Sequence, residues 1–533
     1  MARTSKRARP DEIARAATRG DVAELERLSD RLWYELPAAY GNELLAFAGK
    51  LPKGMLEKHP RILLAAHHAL YLSDDDRSTA WRGLLVFYVN YGARFAANFE
   101  THSHPSDMLE AGVIGLIGAR LRGDYGLAED IAKRLSGYLA EVPNDGSEQW
   151  SELGGRRPGW LELQRAYTNA LKGDMRTAAV LARCAYEARG EPPYRHFAGL
   201  GAAALAALLS ALEGRREHAK SWLAEVARCG DPLTTLEPLL MVPAQLASAH
   251  LAMDALDESG AREALRSLDG DSGTFEPWPY AAAAQARFGL LFGSPAAALA
   301  RLDASVREHG ASTRLHHLAG GILGSARAEL LLDMGEGEAA MQLFRQFPGR
   351  DSARVLAARI HLRAEEYSDA VRVAAPLLYR VDTSHRDMLD AFLVVAAAQY
   401  CLGEIDDAGT LFSHAYEYYE LTQNAYAFLQ VERRIMSRLC ELTGVVFPVR
   451  GDNTYAPVER VHLTPRETTV FAALVTEDSL STIAHRMAVS LNTIRSQTRS
   501  IYRKLGVHTR RDAVAQGIRR GIYQPEDDAS RSS

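Results

Sequence analysis

A short turn pattern recurs through most of the chain and restricts its fold more than any other feature. A glycine is followed by a charged or polar residue and then by alanine and leucine, as in Gly403-Glu404 with Ala408 and Leu411. Glycine ends one helix in a left-handed conformation, the polar residue begins the next, and the small alanine lets the two helices pack closely. Such turns occur at Gly20, Gly123, Gly173, Gly214, Gly293, Gly335 and Gly403. The pattern predicts a series of helical hairpins.

The spacing of these glycines is uneven. Three intervals are close to the length of one hairpin: Gly123 to Gly173, Gly173 to Gly214, and Gly293 to Gly335. The other three are longer, and each would have to contain at least one turn that lacks the pattern. Alanine and leucine are abundant from Pro10 to Thr443, whereas alternating β-branched runs are scarce, so this whole region is predicted to be helical.

The recurrence resembles tetratricopeptide-like repeats, whose period is about 34 residues. This resemblance implies an α-solenoid, because a single hairpin cannot bury its apolar face and must stack against its neighbours. We assign residues 11–442 to such a repeat region and call it the helical array. An unspecified all-α bundle is the alternative, and it would contain the same helices without a continuous groove.

The last folded stretch, residues 463–517, has the sequence of four short helices. Residues typical of helix N-termini mark their starts: Thr464 with Glu467, Ser479 or Ser481, Ser490, and Thr509 with Asp512. The third helix is predicted to end at Gly506. Two helices joined by a turn of a few residues, the second richer in exposed polar residues, form a helix-turn-helix arrangement.

The third of these helices is predicted to be amphipathic. Its apolar arc contains Ile494, Thr498, Ile501 and Leu505, and its polar arc contains Asn492, Arg495, Ser496, Arg499 and Arg503. The major groove of B-DNA accommodates one helix, and an arginine can hold guanine O6 and N7 with two hydrogen bonds. Arg495 and Arg499 lie one turn apart on the polar arc, which suits such a role. For this helix alone, an ordinary solvated basic face is an equally good interpretation.

The whole stretch resembles the LuxR-type DNA-binding domain of bacterial transcription regulators. The segments LTPRE, SLNTIRSQTRSIYRKLGV and HTRRDAV carry the resemblance. It implies that Arg495, Ser496 and Arg499 face the bases and that Thr493, Arg503, Lys504 and Arg510 lie near phosphates. It also implies a dimer on double-stranded DNA, with the contact in the fourth helix at Ala513, Val514, Gly517 and Ile518. Packing within the domain is the alternative use of that apolar face.

Charge is distributed unevenly along the chain. The net charge is −5, but residues 459–521 contain eleven basic and five acidic residues, so that segment carries +6 and the remainder −11. This asymmetry indicates that DNA is contacted by the C-terminus alone. We therefore divide the chain into a disordered basic tail (1–10), the helical array (11–442), a linker (443–458), a DNA-binding domain (459–523), called the C-terminal domain below, and a disordered tail (524–533).

No sequence motif supports catalysis. The chain has no G-x-x-x-x-G-K-[ST] phosphate loop, no H-E-x-x-H and no G-x-S-x-G, so we expect no catalytic residues and no cofactor. Pairs of histidines such as His67-His68 lack a third ligand at a fixed spacing, and we expect no metal. The four cysteines form no C-x-x-C pair and are predicted to be free thiols of a cytoplasmic protein. No apolar run is long enough to span a membrane.

The sequence therefore predicts an all-α protein: a tetratricopeptide-like α-solenoid followed by a four-helix LuxR-type helix-turn-helix domain. The leading hypothesis is a cytoplasmic bacterial transcription regulator whose array binds a protein or small-molecule effector and whose C-terminal domain binds DNA as a homodimer. A scaffold protein that uses DNA only as an anchor is the alternative. An enzyme is the third and weakest option, since no motif supports it. The first two differ in whether occupancy of the array changes promoter output.

Overall fold

The structure is a computed structural model, and it describes most of the chain. The described residues are 10–32, 35–52, 54–73, 77–141, 157, 159–189, 197–229, 237–266, 268, 276–309, 319–345, 351–447, 449, 455, 457–458, 463–476, 479–519 and 522. Both predicted disordered tails lie outside this set, apart from Pro10. The chain divides into two compact units: a first unit of Met1–Ala252, Asp257–Ala284 and Ala304–Gly321, and a second unit of Met253–Leu256, Gln285–Asp303 and Ile322–Ser533.

The described residues form α-helices and short 3-10 turns, with no β-strand among them. The helices up to Glu308 are α1 Pro10–Arg19, α2 Val22–Leu32, α3 Glu35–Ala48, α4 Pro60–Ser73, α5 Arg77–Asn98, α6 Pro105–Leu121, α7 Tyr125–Glu141, α8 Trp160–Lys172, α9 Met175–Glu187, α10 Phe197–Leu212, α11 Arg216–Arg228, α12 Glu237–Asp254, α13 Glu258–Arg266, α14 Trp278–Phe292 and α15 Pro295–Glu308. Those that follow are α16 Ala319–Asp333, α17 Gly337–Arg345, α18 Asp351–Arg363, α19 Tyr367–Ala374, α20 His385–Leu402, α21 Ile405–Thr422, α22 Tyr426–Leu429, α23 Arg433–Thr443, α24 Pro465–Thr476, α25 Leu480–Arg486, α26 Leu491–Leu505 and α27 Arg510–Arg519. The predicted all-α class is confirmed.

The predicted glycine turns share one hydrogen-bond geometry. At Gly173 the backbone has φ +80°, and the N–H of Asp174 donates to the carbonyl of Asn169 at 3.0 Å. The same bond, from the residue after the turn to the carbonyl five positions earlier, closes the turns at Gly20, Gly123, Gly214, Gly335 and Gly403, all with positive φ. This is the Schellman ending of a helix, which satisfies carbonyls that the helix leaves unpaired. Gly293 differs, because its φ is not positive and its N–H bonds to Gly289 instead.

Two turns without glycine lie inside the long intervals. Leu256 and Glu365 adopt φ of 55° and 60°, in the left-handed region that glycine usually occupies. The N–H groups after them bond to carbonyls five residues earlier, from Asp257 to Ala252 and from Glu366 to His361, each at 2.9 Å. These are the unmarked turns that the intervals Gly214 to Gly293 and Gly335 to Gly403 require. They carry no glycine, so the pattern could not locate them.

A buried alanine follows most of these turns at a fixed distance. It stands five residues after the turn residue and is at most 1% exposed at Ala128, Ala178, Ala219, Ala261, Ala298, Ala340, Ala370 and Ala408. Because alanine has only a methyl group, the second helix of a hairpin can approach the first closely. After Gly293 and Gly335 an alanine also stands four residues on, at Ala297 and Ala339, but the buried residue is the next one in each case.

Several helices contact both their neighbour in sequence and the helix two positions away. In the first unit α4, α6, α8 and α10 form such a row, each contacting the next, and in the second unit α18 contacts α20. Stacking of alternate helices makes each hairpin's apolar face part of a continuous core. These parts of the described chain are therefore stacks of helical hairpins.

Buried arginines join helices within the first unit. The guanidinium of Arg61 (α4) donates to Asp107 (α6) at 2.8 and 3.0 Å and to Asp30 (α2) at 2.6 Å. Arg157 donates to the second oxygen of Asp30 at 3.2 Å and to Glu110 (α6) at 2.7 and 3.0 Å. The side chains of Arg61 and Arg157 are 4% and 1% exposed. Removing one partner of such a pair leaves a buried uncompensated charge, so this network fixes how α2, α4 and α6 are arranged.

Part of the predicted linker lies against helices of the second unit. Val458 is 5% exposed and packs in a cluster with Ala328, Leu332, Ala340, Met341, Ala353, Leu356 and Ile360. Its N–H donates to the carbonyl of Arg363 at 3.1 Å, and a Cβ added at Gly337 would lie 2.2 Å from its methyl group. The ring of Tyr455 lies 5.1 Å from the Arg363 guanidinium. These linker residues are held against α16 to α18 by apolar and cation–π contacts.

No helix among the described residues is both long and apolar enough to cross a bilayer.

Candidate nucleic-acid interface

Four helices, α24 to α27, form the C-terminal domain around one small core. Helices α24, α25 and α27 all contact α26. The core consists of Val470, Phe471, Ala473, Leu474, Ile483, Ala484, Ile494, Ile501, Leu505 and Ala513, each at most 6% exposed. The four predicted helices are thus present, and the third packs at the centre of the others.

Glu467 connects the start of α24 to α26. Its carboxylate accepts hydrogen bonds from the N–H of Thr464 at 2.7 Å, from Ser500 Oγ at 2.7 Å and from Lys504 Nζ at 2.6 Å. In return the N–H of Glu467 bonds to Thr464 Oγ1 at 3.3 Å, which completes the predicted capping box. Burial alone would raise the pKa of Glu467, but the bonds from Lys504, Thr464 and Ser500 outweigh it and lower the pKa from 4.5 to about 2. The sequence predicted the cap and not the links to α26.

Serine caps set the starts of the two helices of the helix-turn-helix. Ser479 accepts from the N–H of Thr482 at 3.1 Å and caps α25, so it, and not Ser481, is the N-cap. Ser490 accepts from the N–H of Thr493 at 3.0 Å and caps α26. Gly506, at φ +67°, ends α26 as predicted.

The turn between these helices contains a residue in an unfavourable backbone conformation. Ala488 has φ of 52°, and the N–H of Val489 donates to the carbonyl of Ala484 at 3.0 Å. An L-residue in the left-handed region costs roughly 1–2 kcal/mol. The surrounding packing holds this turn in place, and with it the angle between α25 and α26.

The outer face of α26 is basic and exposed. Ile494, Thr498, Ile501 and Leu505 are buried, and Asn492, Arg495, Ser496, Arg499 and Arg503 are exposed, as the periodicity predicts. Within the part of the chain that the structure describes, no hydrogen bond or ion pair engages the guanidinium groups of Arg495, Arg499 and Arg503. These groups are therefore available to a ligand in solvent.

The four residues predicted to lie near phosphates occupy different environments. Arg503 is exposed, and Thr493 lies at the N-terminus of α26 with its hydroxyl 2.7 Å from that of Ser490. Lys504 is paired with Glu467, and Arg510 Nε donates to the carbonyl of Leu474 at 2.8 Å. The last two side chains therefore also hold α24 in place.

Two of the four predicted dimer residues are used inside the domain. Ala513 is fully buried in the core, and a Cβ added at Gly517 would lie 2.0 Å from Phe471 Cζ. Val514 is half-buried, and the side chain of Ile518 lies outside the described residues. The close approach that Gly517 permits is thus made by the Phe471 ring of the same chain.

One group of side chains in the second unit has the composition of a metal site. His361, Glu366 and Asp369 offer ligand atoms within 4.8 Å of one another. His361 Nδ1 lies 2.6 Å from a Glu366 oxygen, and Arg372 donates to Asp369 at 2.6 and 3.1 Å. These hydrogen bonds explain the cluster, and a guanidinium at Asp369 opposes a cation there.

The sequence of this domain decides its family. Residues 461–516 match the family described as bacterial regulatory proteins, luxR family. The C-terminal domain is a LuxR-family domain. It is the DNA-binding module of transcription regulators, and the match covers α24, α25, α26 and most of α27. No curated protein matches the chain.

The LuxR-family domain has the features that a groove-reading helix requires. Its third helix, α26, is fixed from behind by the core and by Glu467, while its outer face presents three arginines to solvent. Side chains on a rigid helix can be placed against base edges and phosphates with little loss of entropy on binding.

Proposed function

We propose that the protein is a cytoplasmic bacterial transcription regulator in which α26 of the LuxR-family domain reads the major groove of double-stranded DNA. In this proposal the domain binds as a homodimer, and the helical array docks a protein or small-molecule effector. The observation that carries the proposal is the exposed row of Arg495, Arg499 and Arg503, unpaired within the described chain, on a helix whose opposite face is buried.

Base reading is assigned to Arg495, Ser496 and Arg499. Arg495 and Arg499 are one turn apart, about 6 Å along the axis, so both can enter one groove. A guanidinium can contact guanine O6 and N7 together, and each such pair contributes roughly 1–3 kcal/mol of discrimination. Ser496, between them, can donate to or accept from either kind of base.

Backbone contacts are assigned mainly to Arg503 and Thr493. Arg503 lies two turns beyond Arg495 and is free to reach a phosphate. Thr493 is near the N-terminus of α26, where the helix dipole favours an anion. Lys504 and Arg510 add positive charge, but their bonds to Glu467 and Leu474 limit their reach.

Two points support the proposed dimer: the spacing of half-sites on DNA, and the residues of α27 that the core of the domain does not use. One recognition helix covers only a few base pairs, and helix-turn-helix proteins pair on half-sites about one helical turn apart. Because Ala513 and Gly517 are occupied within the domain, we assign the contact chiefly to Val514 and Ile518. Inserting half a turn of DNA between half-sites should then weaken binding at least tenfold.

The helical array is assigned to a tetratricopeptide-like solenoid. Recurrent Schellman turns, the buried alanine five residues after most of them, and contacts between alternate helices in parts of the array support this assignment. Solenoids of this kind present long surfaces to partners, so the array is the part of the chain assigned to the effector.

The assignment of base reading can be tested with three variants of the full chain. An operator selected from a random DNA library and a scrambled duplex are titrated at one salt concentration. Arg495→Ala and Arg499→Ala should each lose roughly 1–3 kcal/mol on the operator and little on the scrambled duplex. Arg503→Ala should weaken both duplexes alike and reduce the salt dependence.

The same titration can also contradict the assignment of base reading. Equal losses on both duplexes for Arg495→Ala would show that this residue contacts only the backbone. Arg372→Ala, at an exposed position in α19, is the control and should leave both affinities unchanged.

A further inference from the structure

A groove in the first unit lies across three consecutive helices, α9, α10 and α11. It has a volume of about 380 Å³, with α9 on one side and α11 on the other. Its floor is formed by Ala206 and Ser210 of α10, which are small. Grooves of this size fall within the range of known binding sites.

The groove is lined by more cations than anions. Arg176 and Arg183 come from α9, and Arg215 precedes α11, whereas Glu213 is the one carboxylate among the lining residues that the structure describes. Arg215 is paired with Glu213 at 3.1 Å. Burial raises the pKa of Glu213, and nearby Arg215 and Arg176 act in the opposite direction.

Two of these arginines lack a close partner within the described chain. No hydrogen bond or ion pair engages Arg176 there, and the nearest carboxylate to Arg183 is Glu187 at 3.9 Å, with both side chains mostly exposed. This contrasts with Arg61, Arg120 and Arg157 of the same unit, which are buried against carboxylates. The groove is also unusual because the chain outside residues 459–521 has a net charge of −11.

An apolar strip separates the two arginines. Arg176 and Arg183 are seven residues apart on α9, which places them two turns, about 10 Å, apart on the same face. Val180 lies between them and is 46% exposed. On the opposite side Trp222 of α11 is half-buried and meets the Tyr186 ring edge-on at 5.1 Å.

This combination fits an extended acidic peptide. Sites for small molecules are mostly apolar and enclose the ligand, whereas clusters of arginine recognise acidic motifs. In a polyproline II segment, residues three apart point the same way and are separated by about 9 Å, close to the spacing of the two arginines. We propose that the groove binds a partner protein through an extended segment with two acidic residues three apart and an apolar residue between them.

The proposed segment would place one carboxylate on Arg176 and the other on Arg183. The backbone between them would then pass over Val180, and the intervening apolar side chain, which points to another side of the segment, would lie against Trp222 across the groove. This inference rests on the proposed function, since it names the class of effector that the helical array docks.

The test uses the full chain and defined peptides. Fluorescein-labelled decapeptides carry one Glu at position i and a second at i+2 to i+6, with Leu, Phe or Ala between them in a Gly/Ser background, and are titrated by anisotropy. Binding should be tightest at a separation of three with an apolar intervening residue, and Glu→Gln peptides should bind at least tenfold more weakly. The double variant Arg176→Gln/Arg183→Gln should lose roughly tenfold or more.

A charge-matched control separates this site from general attraction. Arg27→Gln/Lys133→Gln removes the same charge from exposed positions of the same unit and should leave peptide affinity unchanged. The proposal is overturned if no peptide binds below 1 mM, if both double variants lose affinity equally, or if separation has no effect. Competition by inorganic phosphate or citrate at the peptide's own concentration would also overturn it, in favour of a small-anion site.

A second measurement keeps this inference distinct from the proposed function. The same proteins are titrated with the selected operator in the absence of peptide. Intact operator binding without peptide binding rejects the groove assignment alone. Peptide binding without any operator preference in the unmodified chain rejects the DNA-reading proposal and leaves the groove assignment standing.

Discussion

The helical array and the C-terminal domain use arginine in opposite ways. In the array Arg61, Arg157 and Arg363 are at most 4% exposed, and carboxylates on other helices surround them. On α26 Arg495 and Arg499 are exposed, and no carboxylate of the described chain engages them. A buried guanidinium fixes the relative positions of helices, because leaving either partner alone is costly. An exposed one keeps its charge for a ligand.

The groove across α9, α10 and α11 lies in the array, but its arginines are exposed like those of the C-terminal domain. Arg176 and Arg183 are exposed on one helix face, as Arg495 and Arg499 are. Composition alone does not separate the two uses of arginine. What separates them is whether a neighbouring helix carries an acidic partner.

The largest expected effect comes from removing a buried arginine. Arg363 Nη2 donates to Asp333 at 3.0 Å and to Gln430 at 2.8 Å, and its side chain is fully buried. Arg363→Ala should lower the local free energy of unfolding of the second unit by about 3–5 kcal/mol, because it leaves Asp333 buried without its cation. Hydrogen exchange of peptides from α18 and α20 measures this loss.

An exposed arginine nearby provides the comparison. Arg372 of α19 is 69% exposed and pairs with Asp369 one turn away. Arg372→Ala should change the exchange of the same peptides very little, since exposed pairs contribute little to stability. Similar losses for Arg363→Ala and Arg372→Ala would remove the distinction between buried and exposed arginines.

The second prediction concerns acid and the C-terminal domain. The pKa of Glu467 is lowered to about 2 in the folded state from 4.5, so its contribution is complete above the unfolded value and is lost as pH falls toward 2. The shift corresponds to roughly 3 kcal/mol. Exchange of α26 peptides, corrected for intrinsic rates, should therefore accelerate between pH 5 and pH 3.

The variant Glu467→Gln tests whether Glu467 causes this acid sensitivity. This variant should destabilise α26 at pH 7, because it removes the ion pair with Lys504 and weakens the cap at Thr464. Its further loss between pH 5 and pH 3 should be smaller than that of the unmodified chain. Parallel acid curves for the two proteins would assign the acid sensitivity to other carboxylates.

The third prediction compares two helical glycines. Gly517 faces the Phe471 ring, where a Cβ would lie at 2.0 Å, whereas a Cβ at Gly137 in α7 would meet nothing within 4 Å. Gly517→Ala should cost about 1–3 kcal/mol in the C-terminal domain through overpacking. Gly137→Ala should stabilise α7 by about 0.5–1 kcal/mol, because alanine loses less entropy in a helix. Thermal unfolding of each variant shows whether its stability rises or falls. Stabilisation by Gly517→Ala would mean that Phe471 can move aside.

Several features were predictable because they depend on residues close in sequence. The caps at Thr464 and Ser490, the end of α26 at Gly506 and the two faces of α26 all follow local rules. The turns at Leu256 and Glu365 were not located, because a residue other than glycine holds the left-handed conformation there.

Contacts between distant residues could not be read from periodicity. Glu467 was predicted as a capping residue, but its bonds to Ser500 and Lys504 depend on how α24 crosses α26. Gly517 was placed on a dimer surface, whereas its neighbour is Phe471, more than forty positions earlier. The groove on α9 to α11 likewise requires three helices to be brought together.

The smallest expected effect concerns the turns, where the two regions differ again. Most turns of the array place glycine at positive φ, whereas the helix-turn-helix places Ala488 there with φ of 52°. Ala488→Gly should stabilise the C-terminal domain by up to about 1 kcal/mol, because relief of the left-handed strain exceeds the entropy that glycine loses.

Gly506→Ala is the reverse test within the same domain. Its φ is 67°, and a Cβ there would meet nothing within 4 Å, so the substitution changes only the conformational energy of the backbone. Gly506→Ala should cost about 1 kcal/mol. Under conditions in which both variants are fully folded, their operator affinity should equal that of the unmodified chain. If Ala488→Gly instead destabilises the domain while Gly506→Ala behaves as expected, the methyl group of Ala488 contributes packing that exceeds its backbone strain.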